Sequence, residues 1–546
     1  NTTGADNVAV GKGALDANTT ASFNAAFGSN ALGANTTGGN NTALGVSALQ
    51  ANTTASNNVA VGTNALKVNT TGDLNLAIGN NALDANTVGD RSVALGHNTL
   101  TNQNPSSNAD MYNIAVGYNA GAGITTGVVN TIMGGLAGDS LTDADHNVAI
   151  GYLALTVDTL GSRSVAVGRG TLANQNFTTA TDTYNTAVGY AAGNDITTGK
   201  QNTFIGGLAG DANTTATNNT AVGYQSLSAN TTGVQNASFG SFSLNSNTTG
   251  NNNTGIGHNA LGSNTIGSKN TAVGKHALDA NTEANNCTAI GDNALGANTT
   301  GGSNTAVGVN SLDSCTSGGS NTAVGTLSGT SVTTGVLNTL IGDDAGDSVT
   351  TGDSNTHVGA TAGGEVTTGS GNVCIGKDSG TTGSPSGSLT TQNNIICLGD
   401  ENITAAHIQV SLTVASDKRD KTEVEPVKMG LDFVNKLEPV TYKWDKRSSY
   451  VEKGEDFDDV VPDGSHKEDW LDVGFLAQDV EKLESEFGYN IDDKTNLTTT
   501  LTGDGNQYGL TYEKFIPMLV KSIQELSAEV EELKKHSHEP KGLKDM

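Results

Sequence analysis

The sequence predicts a mainly β fold: a repetitive parallel β-solenoid shaft of 17-residue rungs, then a small α/β domain ending in a coiled-coil helix. The strongest indication is periodicity. Glycines close a short motif at positions 11, 28, 45, 62, 79 and 96. Apart from two spacings of 21 and one of 23, the period holds through Gly117, Gly189, Gly274 and Gly342 to Gly376 and Gly399, making 23 copies. A fixed period of this kind marks stacked structural repeats. Composition is the second indication. With 71 glycines, 4% aromatic and 15% charged residues, a conventional core is poorly supplied, yet a disordered chain would not keep a strict apolar spacing. The third is a change of character near residue 416: 9 of the 27 Lys and Arg residues precede it and 18 follow.

Each copy follows one physical plan. Thr305-Ala306-Val307 reads as a short strand, with Asn304 before it and Gly308 where the chain turns. A small apolar pair follows, as in Ala14-Leu15 or Ala48-Leu49, and then an N-T-T-G segment such as Asn35-Thr36-Thr37-Gly38. Asn and Gly there suit the left-handed conformations of tight turns. One copy is one rung, and successive rungs pair strand on strand. Aligned Asn side chains are expected to form hydrogen-bonded ladders, as in other cross-β stacks. Four or five apolar side chains per rung are few for a free-standing solenoid, so several chains, three by preference, are expected to share one core.

Because the copies act as their own controls, departures are informative. The Ala at the centre of the strand becomes Ile132, Phe204 and Leu340 in three rungs, which predicts local widening of the core. The spacings of 21 arise from insertions leading to Tyr112 and Tyr184, within a block of 72 residues that has been duplicated. These insertions are expected to project as loops, and those near Tyr112, Phe177 and Tyr184 are the candidate binding elements, since binding groups concentrate on loops carried by rigid scaffolds. The bland alternative is an inert knob.

Several classes are disfavoured. A net charge of −28 repels nucleic acid and anionic membranes, so neither is expected as a partner. No apolar run reaches the length of a membrane span. Cys287, Cys315, Cys374 and Cys397 form no C-x-x-C pair and read as small buried thiols. Acidic residues such as Asp6, Asp16, Asp84 and Asp211 do not build a calcium loop, so neither metal nor cofactor is expected. The N-x-T tripeptides read as turn residues rather than glycosylation sites. Asn1 lies inside a repeat, and the chain is therefore expected to be a fragment with an attachment region upstream.

After residue 399 the pattern changes. Ile408 to Val414 alternates as a strand and leads to Ser416-Asp417-Lys418-Arg419-Asp420-Lys421. Met429 to Leu437 has helical spacing, Val440 to Trp444 reads as a strand, and the acidic run Glu452 to Asp463 reads as a surface loop. Asp479 to Phe487 continues as helix. Leu519, Ile523, Leu526, Val530 and Leu533 then alternate at four and three, the heptad seam of an oligomeric coiled coil.

The hexapeptide at 416–421 resembles the S-D-x-R-x-K signature of the endosialidase-type intramolecular chaperone, the self-cleaving C-terminal domain of phage tail fibres and tailspikes. Gly474-Phe475-Leu476-Ala477-Gln478-Asp479-Val480 is similar to that family's G-F-x-A-Q-[ED]-V block. The stretch from Tyr512 through Pro517, Leu519 and Val520 to Ile523-Gln524-Glu525-Leu526 is similar to its Y-x-x-x-x-P-x-L-V-x-x-I-Q-E-L block, in the same order. The resemblance implies Ser416 as nucleophile, Lys421 as its base and Ala415–Ser416 as the scissile bond. A hydroxyl nucleophile needs such a base, and a neighbouring cation or desolvation makes a lysine fit for it. Arg419 is expected to supply that cation or hold a carboxylate, and Asp417 to orient the turn. A five-residue offset does not align side chains on one helix face, so a turn or extended geometry is required. The rung itself resembles the head repeat of trimeric autotransporter adhesins.

The expected domains are thus the shaft at 1–399, a connecting strand at 400–415, the chaperone domain at 416–512 and a trimerising helix with its tail at 513–546. The resemblance implies a homotrimeric phage tail fibre that attaches to a host receptor, a glycan or surface protein, and joins other tail proteins through an upstream region. A bacterial surface adhesin using the same clamp is the alternative. Self-cleavage would occur once per chain, and no turnover enzyme is expected.

Overall fold

A computed structural model describes residues 1–409, 412–450 and 459–537, which fall into two compact units, Asn1–Leu327 and Ser328–Met546. The first unit is a parallel β-solenoid. Its rungs contribute three-residue strands from Val8–Val10 to Thr322–Val324, paired in register so that Val8, Ala9 and Val10 face Ala25, Ala26 and Phe27 of the next rung. The second unit opens with the same architecture, in strands Thr339–Ile341, Thr356–Val358, Val373–Ile375 and Ile396–Leu398.

Within a rung the central strand residue points inward. Ala26, Ala43 and Ala60 are fully buried, as are the corner leucines Leu32, Leu49 and Leu66. These leucines adopt φ near +50°, a conformation unfavourable for a bulky side chain, and burial of each leucyl group offsets that cost. Here the structure departs from the sequence reading. The N-T-T-G segments are not left-handed: positive φ falls instead at the corner leucines, at residues such as Asn30 and Asn40, and at the closing glycines. Asn35 is kept for its side chain, which donates to Gly38 O (3.0 Å) and to Asn18 Oδ1 (3.1 Å).

Asparagine ladders carry much of the interior. Asn52 donates to Asn35 Oδ1 at 2.7 Å and Asn69 to Asn52 Oδ1 at 3.2 Å. A second series runs through Asn247, Asn264 and Asn281, each donating to the rung before it at 2.7–2.8 Å. The residues before the strands form another column. Asn24 Oδ1 accepts from Asn41 N (2.9 Å), while Asn24 Nδ2 donates to Gly38 O (2.9 Å). A rung therefore supplements its few apolar residues with buried amides, most of them hydrogen-bonded within the chain.

The bulk of Ile132, Phe204 and Leu340 is taken up by an exchange. In those rungs the corner leucine is replaced by Gly138, Gly210 and Gly346, whose missing side chains leave the space that the larger residues fill. A Cβ at Gly210 would lie 2.6 Å from Phe204 Cε1. Interior volume is conserved by exchange, as close packing requires.

The insertions do not project freely. Gly89–Asp90 pairs in parallel with Ala109–Asp110, and Gly161–Ser162 with Thr181–Asp182. Met111 and Phe177 are buried. Asp158, fully buried, anchors the second insertion by accepting from Gln175 Nε2 (2.6 Å) and Phe177 N (2.9 Å).

In the second unit, the described residues between 399 and 417 form no strand, correcting the expectation for Ile408 to Val414; Val410 and Ser411 of that stretch lie outside the described residues, as do residues 452–458 of the acidic run. The terminal domain has helices α1 (Leu431–Lys436), α2 (Ala477–Glu486) and α3 (Phe515–Ser537). Strand Val440–Tyr442 pairs antiparallel with Asp472–Gly474, and Thr499–Leu501 with Tyr508–Leu510. Its core gathers Met429, Phe433, Val480, Leu483, Phe515 and Met518. Buried Glu484 ties α2 to the second hairpin, accepting from Thr498 N and Oγ1 and from Thr499 Oγ1 at 2.6–2.7 Å.

Candidate functional site

The seam is built by one turn of 3₁₀ helix, Lys418–Asp420. Asp417 caps it: its carboxylate accepts from Arg419 N at 2.9 Å and from the Arg419 guanidinium at 2.6–3.1 Å. This capping and the backbone bond from Lys421 N to Lys418 O reverse the chain. Lys421 Nζ is thereby carried back to Ser416, donating to Oγ at 2.6 Å. A five-residue offset that no α-helix would align is closed by a tight turn.

Of the four seam residues, Ser416 and Lys421 form one pair and Asp417 and Arg419 another. Arg419 holds a carboxylate, the second of its two expected roles, and its guanidinium keeps the Asp417 carboxyl below the usual range. All four residues are exposed. No side chain of the described residues covers the Ser416–Lys421 pair from water.

Residues 416–489 match the family described as chaperone of endosialidase. The segment is an endosialidase-type chaperone domain following a β-solenoid shaft. The match opens on Ser416 itself and takes in the G-F-L-A-Q-D-V segment, ending before α3. No curated protein matches the chain significantly.

Contacts within the second unit join this chaperone domain to the last rungs. Asp504 accepts from Ser388 N at 3.0 Å and from Thr502 Oγ1 at 2.5 Å, and Lys446 Nζ donates to Glu401 O at 2.6 Å. A Cβ at Gly387, whose φ is +65°, would press on the Asp504 carboxylate. Along α3, Phe515, Met518 and Ser522 face the domain, while Leu519, Ile523, Leu526, Val530 and Leu533 remain exposed.

The shaft places the other candidates differently from expectation. Phe177 is core, whereas Tyr112 and Tyr184 are about half exposed. Arg91 is ion-paired with Asp110 and lies 5.8 Å from the Tyr112 ring centre. Its counterpart in the duplicated block, Arg163, is paired with Asp182 and lies 5.9 Å from Tyr184. The sequence reading missed two columns on the shaft exterior. The third strand residue, as in Val10, Leu44, Met133, Ile205, Phe239 and Ile375, is apolar in every rung and widely exposed. The residue after the closing glycine carries Tyr118, Tyr152, Tyr190 and Tyr224, all about half exposed. Reading the aligned copies column by column would have found both.

The four cysteines are free and buried. Burial pushes the Cys374 thiol up to about 12, so it stays protonated as a small core residue.

Proposed function

We propose that this chain belongs to a homotrimeric phage tail fibre, whose chaperone domain sets the register of the shaft and then cuts itself free. The observation that carries the reading is the Ser416–Lys421 hydrogen bond at the first residue of the chaperone match. In the cut, Ser416 Oγ attacks the Ala415 carbonyl carbon and its proton passes to a neutral Lys421 Nζ. The C–N bond breaks, the Ser416 nitrogen leaves as a new amino terminus after taking a proton, and water hydrolyses the resulting ester.

In the single chain the dyad is exposed, whereas taking the serine proton requires a neutral lysine amine. Covering by neighbouring chains would lower the cost of its neutral form, which couples cutting to assembly. Two apolar features support three-fold association: the exposed stripe of α3 and the apolar column of the shaft. Each is an exposed apolar run of the kind that a partner chain covers. After trimerisation, removing the clamp leaves the shaft kinetically trapped. Attachment to a host receptor, localisation to the virion tail and joining of other tail proteins upstream belong to the same reading. The rung's likeness to adhesin heads favours a bacterial surface fibre as the second reading.

Sedimentation of Ser416→Ala tests the assembly. A mass of three chains is expected, falling to one when Leu519→Asp and Ile523→Asp are added. A Ser416→Ala chain that stays monomeric contradicts it.

A further inference from the structure

The column after the closing glycines is a built surface. From His97 to Gln225 each rung's backbone bonds to the next beside it, as in Leu136 N to Tyr118 O (2.9 Å), Gly170 N to Tyr152 O (2.9 Å) and Gln225 N to Gly207 O (3.0 Å). Tyr118 and Tyr152 are two rungs apart, as are Tyr190 and Tyr224, and Gly135 and Gly207 occupy the rungs between. At the usual rung rise, that spacing is roughly 10 Å. Between the two pairs sits Arg169, its guanidinium 5.8 Å from the Tyr152 ring centre and 5.6 Å from that of Tyr190, with Nη1 donating to Tyr190 Oη at 3.1 Å. The duplication of the 72-residue block supplies the repeat of tyrosine, glycine and tyrosine.

Beside Arg169 and Tyr190 lies a concavity of about 310 Å³, also lined by Asn194, Asp195 and Asp211. Asp195 Oδ1 accepts from Asn174 Nδ2 at 3.1 Å. Asp211 Oδ1, by contrast, is buried and has no hydrogen-bond partner among the described residues, which is costly unless a donor meets it. Half-exposed tyrosine rings beside carboxylates and amides suit one ligand chemistry above others. The C–H faces of pyranose rings stack on tyrosine, and their hydroxyls donate to carboxylate oxygens. A two-rung interval with glycine between tyrosines matches the length of a disaccharide. A net charge of −28 opposes an anionic chain or a nucleic acid.

We propose that Tyr118, Tyr152, Tyr190 and Tyr224 form a lateral platform that binds a neutral, hydroxyl-rich polysaccharide along the shaft, with Asp195 and Asp211 reading its hydroxyls. This deepens the attachment reading and rests on it only for which cell carries the glycan. Purified glycans therefore test the platform separately from that reading.

The test is calorimetric titration of the full chain with neutral hexasaccharides of glucose, mannose, galactose and xylose, alongside an anionic polysialic acid oligomer. Binding of at least one neutral chain is expected. Tyr152→Ala with Tyr190→Ala should weaken it by about tenfold or more, whereas Tyr112→Ala should leave it unchanged. Circular dichroism identical to wild type shows that the variant shaft is folded, and Tyr152→Phe with Tyr190→Phe, which keeps the ring faces, should retain most of the affinity. Three results overturn the proposal: no neutral chain binding, binding that the alanine pair does not weaken, or binding of the anionic oligomer alone. A change of sedimenting mass in the alanine pair would instead make the column a contact between copies, and would equally overturn it.

Discussion

The shaft and the terminal domain solve the problem of a stable interior in opposite ways. Shaft rungs are held by contacts that recur at the repeat spacing: Ala on Ala, Asn on Asn, closing glycine on closing glycine. The terminal domain is held by a single set of partners, Met429, Phe433, Val480, Leu483, Phe515 and Met518, that recurs nowhere. A shift of one whole repeat restores nearly every shaft contact, so the shaft specifies its register weakly. The unique core of the terminal domain has one arrangement only. Register is therefore best set by the part of the chain that does not repeat, which is the physical rationale for a chaperone following a solenoid.

The largest break in this comparison should come from a closing glycine. Gly308 has φ +140°, and a Cβ there would sit against the carbonyl oxygen of Gly325. Gly308→Val should cost on the order of 3 kcal/mol or more through backbone strain and lost rung pairing, read as a lower unfolding midpoint of the shaft. In the terminal domain, the matching break is Glu484→Leu. It strands Thr498 and Thr499 without their acceptor, and a loss of about 3 kcal/mol is expected in that domain, with the shaft transition unmoved.

A pH-dependent term belongs to the shaft. His357 takes the central strand position between Leu340 and Cys374, fully buried, with neither ring nitrogen partnered among the described residues. Burial lowers its pKa to about 4 from 6.5. The unfolded chain thus binds a proton more readily, so stability falls as pH drops from about 6.5 toward 4, by up to ~3 kcal/mol. His357→Leu should abolish that dependence in acid melts of the last rungs, and Cys374, protonated throughout, should contribute nothing to it.

The smallest effect compares positions within one ladder. Asn264 both donates to Asn247 and accepts from Asn281, whereas the Oδ1 of Asn298, at the end of its series, has no partner among the described residues. Asn264→Ala should therefore cost more than Asn298→Ala, by about 1 kcal/mol, in denaturant titrations.

Much of this was legible in the sequence. The period, the T-A-V strand and the asparagine columns follow from spacing and side-chain chemistry. The offset between Ser416 and Lys421 excluded a helix there and left a turn or an extended geometry. Other features required three dimensions. Leucine is unfavourable at positive φ, so nothing in Leu32 or Leu49 announced a left-handed corner. The exchange of Phe204 against Gly210 joins positions six residues apart that meet only across the rung interior. The insertion at Phe177 looked like a free loop because its anchor, Asp158, lies one rung earlier in the chain. The tyrosine column stayed hidden because its members are a rung or more apart in sequence and become neighbours only on stacking.

The central claim is that the clamp cuts itself from the shaft, and the mass of the denatured full chain beside that of Ser416→Ala tests it most directly. The account predicts a wild-type fragment beginning at Ser416 that is absent from the variant. A wild-type trimer whose chains remain whole would contradict it, leaving the chaperone as a permanent tip.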